Sequence, residues 1–596
     1  MVARCLITTA IEETWPDKDV PILFLGEWCR LYDRKLAWDD RDAVVVKYHW
    51  NDRRKLHQDY LYLRLIYEES LKRLATKLNE IHNVDHEVRY WRILVGPWLG
   101  YFIQMLFDRW FMLKQAAGDY DVSDVRVIRQ FDTKLVPNDM ADFSRMMVGD
   151  DWNEMIYAKI LQKMSIPINV VEANLNKRQH VDAISNLKPK ISSRFKKSLG
   201  KLINQLNDFF SRSDDLFLID SYLGVKNDLL LQIRMGQSPK LWRTVDVPFA
   251  DYCADFRQWE LSIPINVEIN GYINFIDLLC TMIPKQIPIA YLEGYDKLVA
   301  LTEKLSWPKQ PQIVFTSNAY HSDDVFKAWA ASKAENGTPL IIGQHGGNYG
   351  MALWSFTEEH QIAISDKFLT WGWEMEGNTN VTPIGKFKGL GEQIAGDPDG
   401  VALLVQMTLP RYSYHMYSVP VATEQWLSYY EDQCRFVDEL PSELKDSLLV
   451  RLYAHDHGLK QKERWLDRFP DIKLDDGRQS MKELMGKARI FISTYNATTY
   501  LESLASNFPT IIFWNTNHWE LRGNVNEHFE MLKKVGIFHE TPESAAQQMA
   551  AVWHDVNRWW QSPDLQIARE AFCKRYAHLP ERPLDILIKT LHPIAY

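Results

Sequence analysis

Seven consecutive positions, Ser493–Thr499, are dominated by side chains that bind phosphate groups. An apolar run precedes them at 488–492, a helical pattern follows, and a second apolar run comes at 510–514, which predicts a βαβ unit. The turn of such a unit lies where strand carboxyl ends and helix amino ends converge, and the free backbone N–H groups there suit a phosphate. One or two hydroxyls would be explained by helix capping alone. The larger number here predicts a donor-binding turn with Ser493, Thr494, Asn496, Thr498 and Thr499, and with Glu502 one turn into the helix as a candidate for a ribose hydroxyl.

A second stretch, Gly343–Gly350, places a Gln-His pair among four glycines directly after the predicted strand 339–342. Glycines let a backbone approach a ligand closely and leave the neighbouring imidazole accessible. We therefore predict that His345 acts as a general acid or base, or as a donor to a phosphate, with Gln344 beside it.

Three carboxylates follow predicted strands and are candidates for the catalytic base. Asp323 comes after the strand at 313–315, Asp220 after 216–219, and Glu172 after 170–171. Capping of the next helix explains each of them about as well. The sequence leaves open which of these three, or the adjacent Asp324, is catalytic.

Cationic and aromatic residues at other predicted strand ends complete the candidate site. Arg411, Arg451 and His455 belong to strand ends of the same half of the chain as the hydroxyl-rich turn, and we predict that they bind the donor. Near the amino terminus, a set of residues after the second strand is predicted to bind the acceptor: Glu27, Trp28 and Arg30. The His-Asp-His run at 455–457 resembles a set of metal ligands, but neighbouring residues at a strand end face different ways, so we predict neither a metal site nor a cofactor.

The elements that must position these residues alternate between apolar strands and amphipathic helices, which predicts an α/β fold. We expect two Rossmann-like domains that face a central cleft, with helical insertions. The predicted boundaries are residues 1–395 for an acceptor-side domain, 396–570 for a nucleotide-sugar-binding domain, and 571–596 for a helical tail that packs across both.

Composition restricts the function further. A chain of 596 residues with 46% hydrophobic and 25% charged residues is typical of a globular protein with several domains. A net charge of −9 disfavours nucleic acid as a partner. Six cysteines without metal-ligand spacing, and the lack of an apolar leader or a membrane-spanning run, predict a cytoplasmic location. A basic patch at 188–201 leaves open a peripheral contact with the inner membrane.

Several long motifs carry a resemblance that covers essentially the whole chain. The segments LITTAIEETW, PILFLGEWCRLYDRK, RYWRILVGPWLGYF and IIGQHGGNYG resemble a family of bacterial surface-polysaccharide (O-antigen or capsule) transferases. More distantly, the second half is similar to GT-B enzymes that use CMP-activated sugars, among them capsule Kdo transferases and sialyl-type transferases. That resemblance implies a GT-B-like architecture in which His455, Ser493 and Thr494 hold CMP, although this chain has His-Asp-His where those families have His-Pro.

Residues and resemblance together predict a metal-independent glycosyltransferase. It would move an acidic ulosonic or nonulosonic sugar from a CMP donor onto a bacterial surface glycan or a lipid-linked glycan. Two alternatives stay open: a transferase that moves a polyol phosphate from a CDP donor, and a non-catalytic glycan-binding assembly subunit of the same architecture.

Overall fold

The structure is a computed structural model, and it describes residues 2–129, 135–164, 166–171, 212–264, 273–387 and 394–595. Within these residues, parallel strands form three separate sheets. The candidate base Glu172 and the basic patch at 188–201 lie outside the described residues.

The first sheet has the strand order β3-β2-β1-β4-β5 and the second has the order β10-β9-β8-β7-β6. All recorded strand pairs are parallel, as expected when helices connect successive strands. The first ten strands are β1 (Arg4–Ile7), β2 (Ile22–Phe24), β3 (Ala43–Val45), β4 (Val122–Ile128), β5 (Ile168–Val171), β6 (Phe217–Ile219), β7 (Val314–Thr316), β8 (Leu340–Gly343), β9 (Lys367–Thr370) and β10 (Val381–Pro383).

The third sheet is six-stranded and parallel, with the order β13-β12-β11-β14-β15-β16. This order places β11 and β14 side by side in the centre, at the point where the direction of the crossovers reverses, as in a Rossmann fold. Its strands are β11 (Val401–Val405), β12 (Leu448–Arg451), β13 (Lys473–Asp475), β14 (Ala488–Ser493), β15 (Thr510–Phe513) and β16 (Phe538–His539).

Helices connect and cover the sheets. They are α1 (Arg53–His82), α2 (Val88–Asp119), α3 (Met140–Met146), α4 (Asp150–Leu161), α5 (Val225–Arg234), α6 (Ile273–Gln286), α7 (Tyr295–Lys304), α8 (Ala319–Ser322), α9 (Asp324–Glu335), α10 (Phe356–Ile364), α11 (Thr423–Glu439), α12 (Ser442–Lys445), α13 (Gln461–Arg468), α14 (Met481–Met485), α15 (Thr498–Ala505), α16 (Gly523–Lys534), α17 (Pro542–Val552), α18 (Val556–Trp560), α19 (Pro563–Tyr576) and α20 (Pro583–Ala595).

Helix α2 forms the centre of the core between the first two sheets. Most of its side chains are buried, and it packs against α1, α4, α9 and α10. A helix that is apolar on all sides is explained by such burial on every face. None of the helices in the described part of the chain is both long and apolar enough to cross a bilayer.

The last helix, α20, packs on the second sheet. Its Leu587 and Leu591 are fully buried in a cluster with Leu218, Phe315 and Ile341. A separate, larger cluster includes side chains from all three sheets.

The predicted α/β fold with parallel, Rossmann-like sheets and helical insertions is confirmed. The region 1–395 contains two five-stranded sheets, divided by the long helices α1 and α2 and the segments that follow them. Loops at the carboxyl ends of both sheets contact loops at the carboxyl end of the third, which is the GT-B-like arrangement that we expect from the sequence.

A seam of backbone contacts joins the segment before α10 to the segment before α16. Ala352 and Leu521 form an antiparallel bridge, the Leu353 N–H donates to the Glu520 carbonyl at 2.9 Å, and the Arg522 N–H donates to the Met351 carbonyl at 2.9 Å. These bonds connect the segment that follows β8 of the second sheet to the segment that follows β15 of the third.

Candidate functional site

The hydroxyl-rich turn lies at the centre of the third sheet, immediately after β14. The Thr494 hydroxyl donates to the Val405 carbonyl of β11 at 2.8 Å and the Ser493 hydroxyl donates to the Tyr495 carbonyl at 3.3 Å. Both side chains are buried, as is Asn496, whose Oδ1 accepts from the Tyr500 hydroxyl at 2.9 Å. These three side chains hold the turn in shape, at the place where ligands bind in Rossmann-like sheets.

The other two hydroxyl-bearing residues, Thr498 and Thr499, lie at the amino end of α15 and are only half-buried. The Thr499 hydroxyl donates to the Tyr495 hydroxyl at 3.1 Å. The residue that precedes the helix is Ala497, which has no side chain able to cap it. First-turn N–H groups without a side-chain cap carry the positive end of the helix dipole and are suited to an anion. Glu502 is half-buried on the same helix.

The glycine-rich loop after β8 contacts this helix end directly. The Gly347 N–H donates to Thr498 Oγ1 at 2.7 Å, across 151 positions of sequence. Gly346 has a φ of +150°, and a Cβ atom there would lie 2.4 Å from Thr498 Oγ1, so only glycine permits the contact. The two stretches singled out in the sequence therefore meet in one crevice.

Gln344 fixes the start of this loop through hydrogen bonds to the segment after β9. Its buried Oε1 accepts from the Trp371 backbone N–H at 3.0 Å and from Trp373 Nε1 at 2.8 Å. His345 projects beside it and is half-buried, with its ring centroid 5.8 Å from that of Tyr222 and 5.5 Å from that of Tyr349. The geometry makes Gln344 a positioning residue for the loop that carries the imidazole.

Two of the predicted carboxylates lie at the carboxyl end of the second sheet. Asp323 caps α9, with Oδ1 accepting from the Phe326 N–H at 2.9 Å, while the structure gives its buried Oδ2 no hydrogen-bond partner among the described residues. Burial raises the pKa of Asp323 to about 6, with further increases from Asp324 and Asp220. A carboxyl group with a pKa near neutrality is suited to general acid-base chemistry.

Asp220 follows β6 in a strained loop. Its φ is +45° and that of Tyr222 is +62°, a region that non-glycine residues rarely adopt. Desolvation raises the pKa of its carboxyl group. Strain of this kind is often retained at functional sites.

Sequence reasoning missed two histidines whose rings both lie near the Tyr101 ring, one of them within electrostatic range of His345. His321 lies in α8, and His415 lies in the loop after β11; both belong to strand-end segments, which is the signal that could have found them. Burial lowers the pKa of His321 to about 4, with smaller contributions from Lys327 and His345. Burial also lowers the pKa of His415. Both imidazoles are therefore neutral at pH 7.

The other predicted donor-side residues are placed around the third sheet. Arg451 donates to the carbonyls of Gly477 and Gln479 at 3.0 and 2.8 Å, and so holds the loop after β13. His455 is exposed. Arg411 forms a partly buried ion pair with Asp150 at 2.6 Å, at the junction with the first sheet.

The predicted acceptor-side residues also lie at that junction. Trp28 is buried, and its Nε1 donates to the Thr8 carbonyl at 3.0 Å, while Arg411 Nη1 donates to the Trp28 carbonyl at 2.6 Å. Glu27 and Arg30 pair with each other through a bond of 3.0 Å. Packing between the first and third sheets thus accounts for Trp28 and Arg411.

No group of three or more His, Cys, Asp or Glu side chains in the described ranges is arranged to hold a metal ion. The buried Glu358 carboxylate forms an ion pair with Arg522 and accepts from the Gly350 N–H at 2.7 Å. These contacts fix the end of the glycine-rich loop.

Comparisons with known proteins identify a family. The model of the family described as LIC12162 family transferase matches residues 4–591. A comparison with curated proteins finds no match. Two solved structures are similar. Arabidopsis thaliana UGT89C1 complexed with quercetin has 11% identity and a TM-score of 0.32 and covers 64% of this chain and 91% of its own. LpCGTa in complex with UDP has 12% identity and a TM-score of 0.28 and covers 56% and 84%.

Proposed function

The chain belongs to the LIC12162 family of transferases, and we propose that it is a glycosyltransferase that takes a sugar from a nucleotide-sugar donor to a glycan acceptor. One observation carries the proposal: the amino end of α15, which lacks a side-chain cap, faces the glycine-rich loop of His345 at the centre of the third sheet. Parallel sheets of this order bind ligands at that point.

The donor phosphate is assigned to the amino end of α15. Thr498 Oγ1 already accepts from the Gly347 N–H, so its own proton is available for a phosphate oxygen. The helix N–H groups supply further donors and the positive end of the dipole. These groups stabilise the negative charge that develops on the nucleotide as it leaves.

Asp323 is assigned as the base that activates the acceptor. Its pKa of about 6 leaves it largely ionised at pH 7, and its Oδ2 is not engaged by a donor within the described residues. In the transfer step the acceptor oxygen bonds to the anomeric carbon, its proton passes to the Asp323 carboxylate, and the bond from that carbon to the phosphate breaks, with the electron pair leaving on the nucleotide. His345 lies beside the donor phosphate and hydrogen-bonds to it.

For the donor we propose a CMP-activated acidic sugar, and for the acceptor a surface glycan or a lipid-linked glycan. The resemblance of the Ser-Thr turn and the basic strand to enzymes that use CMP-sugars supports this choice. The assigned groups need no metal ion, because the helix end and the hydroxyl of Thr498 take the place that a cation would have at the phosphate.

Nucleotide binding tests the proposal most directly. Thermal-shift and calorimetric titrations with CMP, CDP, UDP and GDP should show preferential binding of CMP. Preference for CDP would instead favour transfer of a polyol phosphate, and no binding of any of the four would refute a nucleotide-dependent transferase.

A matched pair of variants locates the site. Thr498→Val should weaken nucleotide binding roughly tenfold to a hundredfold, the effect of losing one hydrogen bond to a charged group. Thr590→Val, a half-buried threonine of α20 on the far side of the second sheet, is the control and should bind as the wild type does. Equal binding by the two variants would remove the amino end of α15 from the donor site.

A further inference from the structure

Two histidine rings and a tyrosine ring from three separate elements meet beside the proposed reaction centre. The Tyr101 ring of α2 lies 5.6 Å from the His321 ring and 6.2 Å from the His415 ring. The Tyr101 hydroxyl is 3.2 Å from that of Tyr417, and the His415 ring also packs on Tyr417, at 3.8 Å between centroids. Helix α2, α8 and the loop after β11 thus build one small polar group of rings.

One imidazole of this group, that of the buried His415, is not fully hydrogen-bonded by the protein. Nδ1 of His415 is buried and has no partner in the described part of the chain. Nε2 of the buried His49 is instead satisfied by Asp108 at 3.0 Å, whereas the ring nitrogens of the buried His360 lack a partner within the described ranges, as does Nδ1 of His415. A buried polar atom without a partner is costly unless a ligand or water satisfies it, so this nitrogen points to a binding function.

The local charge indicates the class of ligand. Lys327 is the cation near His321, and it is neutralised by its buried ion pair with Asp324. The carboxylates Asp323 and Asp220 lie at the same end of the sheet, and both imidazoles are neutral. A neutral imidazole offers one donor and one acceptor, which matches hydroxyl groups. A site with this balance disfavours an anion and favours an uncharged ligand.

We propose that His321, His415 and Tyr101 form a subsite for an uncharged, hydroxyl-rich ring, the acceptor sugar. The assignment rests on the proposed transferase function. His321 lies two residues before Asp323 and within electrostatic range of His345, so a ring held there presents a hydroxyl to the base and to the donor side together. The half-buried Tyr417, whose hydroxyl is 3.2 Å from that of Tyr101, supplies a phenol group for the hydroxyls of the sugar.

Saturation-transfer NMR with simple glycosides tests the subsite without knowledge of the natural acceptor. The probes are the methyl glycosides of glucose, galactose, mannose and N-acetylglucosamine, with methyl glucuronide as the anionic counterpart. We expect at least one uncharged glycoside to bind. Binding of none of them, or of the glucuronide alone, would overturn the assignment.

Variants separate a binding role from a packing role. Leucine at position 415 removes both ring nitrogens, whereas asparagine keeps a polar atom near the position of Nδ1. We expect His415→Leu to weaken glycoside binding about tenfold and His415→Asn to retain most of it, as for one hydrogen bond. His82→Asn, at the end of α1 where the ring bonds to the Tyr291 carbonyl, is the control. Equal glycoside binding by His415→Leu and wild type would overturn the proposal.

Nucleotide titration of the same proteins separates this inference from the proposed function. His415→Leu should bind CMP as the wild type does, because the ring group makes its contacts with α2, His321 and Tyr417 and is assigned to the acceptor. If the wild type bound a glycoside but no nucleotide, the transferase proposal would fail and the sugar subsite would stand. If it bound CMP but no glycoside, the subsite alone would fail.

Discussion

Replacing Asp323 by asparagine should make the protein more stable and less active. Asparagine can still cap α9 through the bond to the Phe326 N–H, because it is as good a helix cap as aspartate. It cannot ionise, so it removes both the cost of a charged carboxylate in this buried position and the proposed base. Opposite effects on stability and activity are expected where a strained or desolvated group serves function.

The size of the stability effect follows from the pKa. An unfolded aspartate ionises near pH 3.8, whereas folding raises the pKa of Asp323 to about 6. Ionisation of Asp323 therefore destabilises the folded state. This destabilisation increases as pH rises from about 4 to 6 and is constant above that. The two pKa values correspond to about 3 kcal/mol, and partial exposure to solvent reduces the expected gain on substitution to roughly 1–3 kcal/mol at pH 7. Little gain is expected at pH 4.

Two assays check the prediction. Thermal unfolding at pH 4 and pH 7 should show a higher transition temperature for Asp323→Asn at pH 7 only. Release of CMP from CMP-Kdo and CMP-N-acetylneuraminate, measured with and without a glycan acceptor, should fall about a hundredfold or more, the usual contribution of a general base.

Asp215→Asn is a matched control. Burial also raises the pKa of Asp215, and its carboxylate accepts from the Arg212 N–H at 3.0 Å, but it lies at the amino end of β6, the opposite edge of the sheet. It should gain stability without losing activity. Undiminished transfer by Asp323→Asn would refute its role as base, and an unchanged transition temperature at both pH values would refute the desolvation argument.

Three further predictions concern the loop, the sheet junction and metal ions. Gly346→Ala should weaken CMP binding at least as much as Thr498→Val does, because its Cβ would displace the threonine hydroxyl; wild-type affinity in a calorimetric titration would contradict the contact. Arg411→Gln should destabilise the protein by roughly 1–3 kcal/mol by leaving the partly buried Asp150 without its cation, and an unaltered thermal transition would count against this. Transfer should survive EDTA treatment, and activity that disappears and returns with Mg²⁺ would argue for a cation at the phosphate.

Local signals in the sequence predicted the strands and the residues that end them. Apolar runs define β7, β8, β11 and β14 without knowledge of the fold, and the residues that follow them lie at the carboxyl edges because parallel topology requires it. This is why the turn at 493–499 and the loop at 343–350 could both be singled out from their composition.

Packing across the sheets was not predictable in the same way. The side chains of Ser493 and Thr494 look like ligands in the sequence, but the fold uses them to join β11 to the turn. Arg411 is likewise engaged by Asp150, which is 261 positions away. Nothing in the local pattern distinguishes a cation that binds a ligand from one that joins two sheets.

The seam between Met351–Leu353 and Glu520–Arg522 restricts separation of the two halves of this protein. Two halves connected only by a flexible hinge could separate while each stayed folded, but here main-chain bonds between them would have to break first. The amide protons of Leu353 and Arg522 should consequently exchange with deuterium as slowly as those of the central strands, and the second and third sheets should melt as one cooperative unit. Substrates would then enter and leave through local movements of loops, such as the strained one at Asp220, rather than by wholesale opening of the molecule.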